Sequence, residues 1–181
     1  FEAIKTPKGV ANHDPVPAHV IKQMRKVNGD LAWIAKQSRI DLCVQTSLSQ
    51  QSLPSPTWAY AKRTNNAVRR AKQHSTTKIV VQPVPLDRLA VLVHADASLK
   101  NAGAKGTQAG WIVGICDREV LGGVEGRWGP LAWKSGRLRR VVQATLGAEM
   151  QALQTATREA EWLCSLLAEI LISDYEIEKR K

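Results

Sequence analysis

Leu89-Ala90-Val91-Leu92-Val93-His94-Ala95-Asp96 is the stretch on which the fold turns. An apolar run that stops at a polar cluster is the pattern of a strand buried on both faces. It predicts a strand ending at Asp96, where a sheet presents its groups to a crevice. Toward the C-terminus, Asn101 to Gly106 reads as a glycine-bearing turn and Thr107 to Ile115 as a second strand. Asp117-Arg118 falls in the turn after it. A third strand is expected within Pro130 to Trp133, followed by a tight turn at Ser135-Gly136. Three strands in series with short connections predict an antiparallel meander. From Thr145 the period becomes helical. Leu146, Met150, Leu153, Ala160, Leu163, Leu167 and Ile170 form one apolar stripe, and Ala148, Ala152 and Ala156 are strong helix formers. A helix is predicted from Thr145, as N-cap, to about Ile172, with a frayed polar tail beyond.

Upstream of the strands the pattern is helical. Residues 1–16 carry Pro7, Gly9 and Pro15 and read as an irregular lead-in. Between Pro17 and Ile40, Val20, Met24, Val27, Leu31 and Ile34 recur at helical spacing, and Ala32, Trp33 and Ala35 widen that stripe. A second helix is expected from Asp41 to about Ser49, before Pro54 and Pro56, and a third from Thr57 to about His74. Lys78 to Pro85, β-branched but punctuated by prolines, reads as an edge strand or a linker. These elements divide the chain into a helical segment, residues 1–85, and an α/β segment, residues 86–181.

Charge follows the same division. The chain has 181 residues and a formal charge of +10. Residues 1–85 hold 13 Lys and Arg against 4 Asp and Glu, whereas residues 86–181 hold 13 against 12. The excess therefore belongs to the helical half, and it is densest on the third helix, at Lys62, Arg63, Arg69, Arg70 and Lys72. Such a surface either meets a polyanion, releasing its counterions, or is simply a solvated helix face.

Other classes are excluded by composition. The longest apolar run, Leu89 to Val93, is far below the ~20 residues of a membrane span. No basic-then-apolar leader opens the chain. Cys43, Cys116 and Cys164 are odd in number and widely spaced, which argues against a disulfide framework or a structural zinc site and favours an intracellular setting. The opening at Phe1 and the stop at Lys181 read as a piece of a longer chain.

Two carboxylates stand out. Asp96 alone could be a residue that merely opens a loop, and Glu149 alone a helix-dipole residue on a solvated face. Together, a strand-end acid, two more strands and a helix with an acid near its start can bring both carboxylates to one place. Two-metal phosphodiester hydrolysis needs such a cluster of hard oxygen ligands.

The runs HADAS (94–98), GTQAGWIVG (106–114), LAWKSGRLRRVVQATLGAEMQAL (131–153) and EAEWLCSLLAEIL (159–171) resemble the ribonuclease H region of copia-type retrotransposon Pol polyproteins. The resemblance aligns Asp96 with the first metal-binding Asp, Ala148-Glu149-Met150 with the helix motif that carries the second ligand, and Trp133-Lys134-Ser135 with a Trp-x-Ser turn. Gly29 to Leu42 resembles the helix that closes the reverse transcriptase of the same polyprotein. What the resemblance implies is an RNase H-like α/β fold with its later strands missing, preceded by a basic connection segment. It further implies Mg²⁺ or Mn²⁺ at Asp96 and Glu149, an RNA–DNA hybrid as substrate, and the remainder of Pol as partner. Lys134, Arg139 and Arg140 join the cations of the third helix as expected nucleic-acid contacts. The family's third catalytic Asp is absent, and Asp174 has no apolar strand leading into it. The readings left open are an inactive piece of a nuclease, a non-catalytic nucleic-acid-binding module, and a decayed or domesticated transposon fragment.

Overall fold

In the computed structural model, which describes residues 2–102, 106–176 and 178, the decisive stretch is part of a longer strand than its apolar residues indicate. Strand β1 spans Leu89–Ala102, β2 Gly106–Asp117 and β3 Trp128–Arg137. They form an antiparallel sheet in the order β1-β2-β3, the expected meander. Asp96 thus lies inside β1, opposite Gly110, and not at a strand end. The cause is visible in the alternation after Val93. Ala95, Ala97 and Leu99 supply an apolar face, while His94, Asp96 and Ser98 occupy the other, so the pleat continues through the polar residues. The strand is half-buried along Leu89 to Val93 and is not enclosed on both faces.

Strand β3 also outruns its prediction. Ser135 and Gly136 pair with Gly110 and Ala109 inside the strand, so the expected turn there is not made. Pro130 is accommodated because β3 is an edge strand and the register slips between Val113 and Gly114. Gly114 is required at that slip, since a Cβ there would run into the Gly129 carbonyl. Residues 103–105 of the turn expected at 101–106, like 177 and 179–181 of the frayed tail, lie outside the described residues.

Helix α4, Thr145–Leu171, packs on β1 and β2. The N-terminal part of the large apolar stripe does not make that contact. Leu146, Met150 and Leu153 are exposed, and Ala148, Ala152, Ala156 and Leu163 are the buried residues. Ala148 and Ala152 meet Ala97, with Ala95, Leu99 and Ala109 around them. Methyl against methyl lets helix and sheet approach closely, and no leucine face could sit at that separation. Thr145 opens the helix without capping it. Ala144 is at the N-cap position, with no side-chain bond to the first turn.

The other face of the sheet meets the helical segment. Helices α1 (Ala18–Gln37), α2 (Cys43–Gln51) and α3 (Trp58–Gln73) match the sequence periodicity closely. Val20, Met24, Trp58 and Ala61 join Ile4 and Val16 in one core, and Val27, Leu31, Leu42, Ala67 and Val68 form a second. Trp33 stands outside both, 66% exposed, because it lies off the Leu31–Ala35 face. The lead-in is not idle. Carbonyls of Asn12 and Asp14 accept the N–H groups of Ala59 and Trp58, satisfying donors that the first turn of α3 leaves open. Between the α/β segment and the helices run specific bonds. Trp133 Nε1 donates to the Ala35 carbonyl at 2.7 Å, and Gln108 exchanges bonds with Gln51 and Ser47 of α2. Residues 78–85 form no strand and connect the two parts.

Arg39 fixes the helix junction. Its guanidinium donates to both oxygens of Asp41, at 2.8 and 3.0 Å, and to the Ala71 carbonyl at the end of α3. Arg70 adds a bond to Asp41 at 3.3 Å. The hydrogen bond from Arg39 holds the Asp41 carboxyl below its ordinary value, against desolvation. A lowered folded pKa means that this stability is present above the ordinary carboxylate value and is lost as pH falls through the folded one.

Two outcomes follow. Asp41→Asn is expected to cost about 2 kcal/mol at neutral pH, because it leaves a guanidinium that is only 7% exposed without its anion. Thermal melts should show this loss shrinking at acid pH, with parent and variant converging. Ala152→Leu is expected to cost about 1–3 kcal/mol by overpacking the α4–β1 contact, measured by denaturant unfolding.

Candidate nucleic-acid interface and acidic pair

Glu149 rises from the first turns of α4, one residue after the buried Ala148. That offset carries its side chain past the alanine contact to the edge of β1. There Glu149 Oε2 accepts the backbone N–H of Ala97 at 3.1 Å. The bond brings Glu149 to the residue that follows Asp96, across 52 positions of sequence. Asp96 itself is exposed and lies on the opposite face of β1 from Ala97. It lines a largely apolar cavity with Ile40, Cys43, Val44, Trp133 and Ser135, at the junction of sheet and α2. Glu149 thus reaches the edge of β1 from α4 beside Asp96, whose own side chain is set on the strand face away from Ala97.

That geometry bears on the metal expectation. Two Mg²⁺ ions about 4 Å apart need more oxygen donors than two carboxylates provide. Among the described residues, no group of three His, Cys, Asp or Glu side chains comes together. One of the two acids is already engaged by a strand amide. Asp96 and Glu149 by themselves do not fit a two-ion centre. Cys43 lies beside Asp96 in the same cavity. Burial pushes its thiol up to about 11, and its Sγ donates to the Ala35 carbonyl at 3.4 Å.

The cations are arranged more openly. Helix α3 contains five Lys and Arg residues and no acid. Arg70 is drawn to Asp41. The other four are exposed and are positioned by neutral partners or by none shown. Lys62 donates to Asn12 Oδ1 at 2.7 Å, Arg69 to Asn66 Oδ1 at 3.0 Å, and Arg63 lies over the Tyr60 ring at 5.7 Å. Neutral partners hold a cation in place without cancelling its charge. Lys134, Arg139 and Arg140 are also exposed, but they lie at the end of β3 and in the loop after it, with Arg137 and Arg158 nearby. The sequence singles out the first three as candidates and does not single out Arg158, which lines the same groove from some twenty residues away. Trp111 was also passed over, because it is embedded in an apolar strand run.

Comparison with protein-family models, with curated proteins and with solved structures gives no match. Among the described residues no helix is long and apolar enough to cross a membrane.

Glu149 serves a visible structural purpose, which can be separated from any other role. Glu149→Ala is expected to cost about 1–2 kcal/mol, since a strand amide loses its acceptor. Glu149→Gln keeps a carbonyl oxygen and should recover much of that stability. Hydrogen exchange at the Ala97 amide should speed up in the alanine variant and not in the glutamine variant.

Proposed function

We propose that this chain is an RNase H-like module of a copia-type Pol polyprotein that binds RNA–DNA hybrids and does not cut them by itself. The observation that carries the binding is α3, which presents Lys62, Arg63, Arg69 and Lys72 to solvent with no acid on the helix. Phosphate contacts of this kind give sequence-independent, salt-sensitive affinity. A bland solvated face would gain nothing from holding its cations on neutral partners, and an acid at every third or fourth position would have served it better. The meander followed by a long helix supports the RNase H-like reading, as do the motifs around Asp96 and Glu149.

A second reading, Mg²⁺- or Mn²⁺-dependent cutting of the RNA strand, is favoured by the bond that brings Glu149 to the residue after Asp96. It requires further carboxylates from the remainder of Pol.

The test is a binding titration of the full chain against a labelled RNA–DNA hybrid, followed by incubation with Mn²⁺. Expected are hybrid binding that weakens steeply with salt and a hybrid that stays intact. The triple variant Lys62→Ala, Arg63→Ala, Lys72→Ala should lose about tenfold or more in affinity and show a shallower salt slope. Salt-independent binding, or none, overturns the proposal. Cleavage that disappears in both Asp96→Asn and Glu149→Gln establishes the second reading in its place.

A further inference from the structure

Helix α4 turns three faces to three environments. Its alanines meet the sheet, and Leu146, Met150 and Leu153 point outward. The third face carries Gln151, Thr155 and Arg158, spaced four and three apart and so stacked on one side of the helix. Because α4 lies over β1 and β2, this third face and the same side of β3 are left as the two walls of a groove.

The groove has a volume of about 440 Å³, within the range of roughly 300–1,000 Å³ usual for ligand sites. Its floor is Ala109 and the half-buried Trp111 of β2. Lys134, Arg139 and Arg140 stand on the β3 side and Arg158 on the α4 side, while no Asp or Glu lines it. Among the described residues, none of these four cations is held in a salt bridge. Like charges gathered around a concave surface repel one another, and an anion seated between them removes that repulsion.

The aromatic floor narrows the choice of anion. In a duplex the bases are stacked on each other and cannot reach a tryptophan below the rim of a groove. In a single strand each base offers a π face and each linkage a phosphate. We infer that the groove between α4 and β3 binds a single strand of nucleic acid, with a base laid on Trp111 and the adjoining phosphates on Lys134, Arg139, Arg140 and Arg158. The inference rests on the reading of the chain as a nucleic-acid-binding module, and it adds to α3 a site of different chemistry.

The full chain is titrated by fluorescence anisotropy against a short labelled oligothymidylate and, separately, against the labelled hybrid. The double variant Arg139→Ala, Arg158→Ala should weaken the oligothymidylate about tenfold and flatten its log K against log salt slope by about 1.4, two phosphates at ~0.7 each. Its hybrid affinity should change by less than about threefold if α3 carries that contact. Trp111→Phe keeps a π face and should bind single strand nearly as the parent does, whereas Trp111→Leu should lose about tenfold. Thermal melts establish that each variant is folded. Full single-strand affinity in the double variant overturns the groove site. Equal loss for the two ligands overturns it as a separate site. A parent chain that binds hybrid but not oligothymidylate also overturns it while the hybrid reading stands. Binding of oligothymidylate through the groove, with no binding of hybrid, supports the groove and overturns the hybrid reading alone. Displacement of oligothymidylate by polyglutamate as readily as by unlabelled oligothymidylate overturns the base contact on Trp111.

Discussion

Everything on one side of this sheet depends on how near α4 can come to β1. Ala148 and Ala152 against Ala97 set that distance, and no larger pair of side chains would leave the helix where it is. The close approach carries Glu149 to the strand edge, where its carboxylate reaches a backbone amide. It also rotates Gln151, Thr155 and Arg158 toward β3 and sends Leu146, Met150 and Leu153 outward. A helix seated on its leucines would have turned each of these faces elsewhere. The smallest side chains on α4 thus decide what the charged and polar ones can touch.

On the opposite side the constraint is polar. Trp133 and Gln108 tie β3 and β2 to α1 and α2 through bonds to the Ala35 carbonyl, the Ser47 hydroxyl and the Gln51 amide. Arg39 does the same among the helices, closing the junction of α1, Asp41 and the end of α3. Such bonds contribute modestly one by one, but a buried group left without its partner costs more than the bond gained. The helical segment and the sheet are accordingly held together by direction as much as by apolar area.

Much of this was legible in the sequence. The 3.6-residue recurrence of Val20, Met24, Val27 and Leu31 located α1 to within a few residues, and the β-branched runs located the strands. What escaped was the choice between competing patterns. Bulk apolar residues on α4 outshone the alanines, yet burial at a tight contact is decided by size and not by hydrophobicity. The polar letters of His94, Asp96 and Ser98 looked like the end of a strand, although Ala95, Ala97 and Leu99 between them continue the alternation. Asp96 and Glu149 stand out in the sequence as two isolated carboxylates, but the face each occupies depends on the pleat and on the helix setting. Trp111 and Arg158 meet only through the tertiary fold, and no local spacing announces them.

The two borders of the sheet are treated unequally. Along β3, Pro130 withholds a donor and Val81 from the connecting segment packs against Gly129, so that border is poorly suited to receive another strand. Along β1 the Glu149 carboxylate accepts the Ala97 amide. The two borders therefore differ in character: the β3 border carries an imino acid and a covering side chain, and the β1 border a carboxylate brought over from α4.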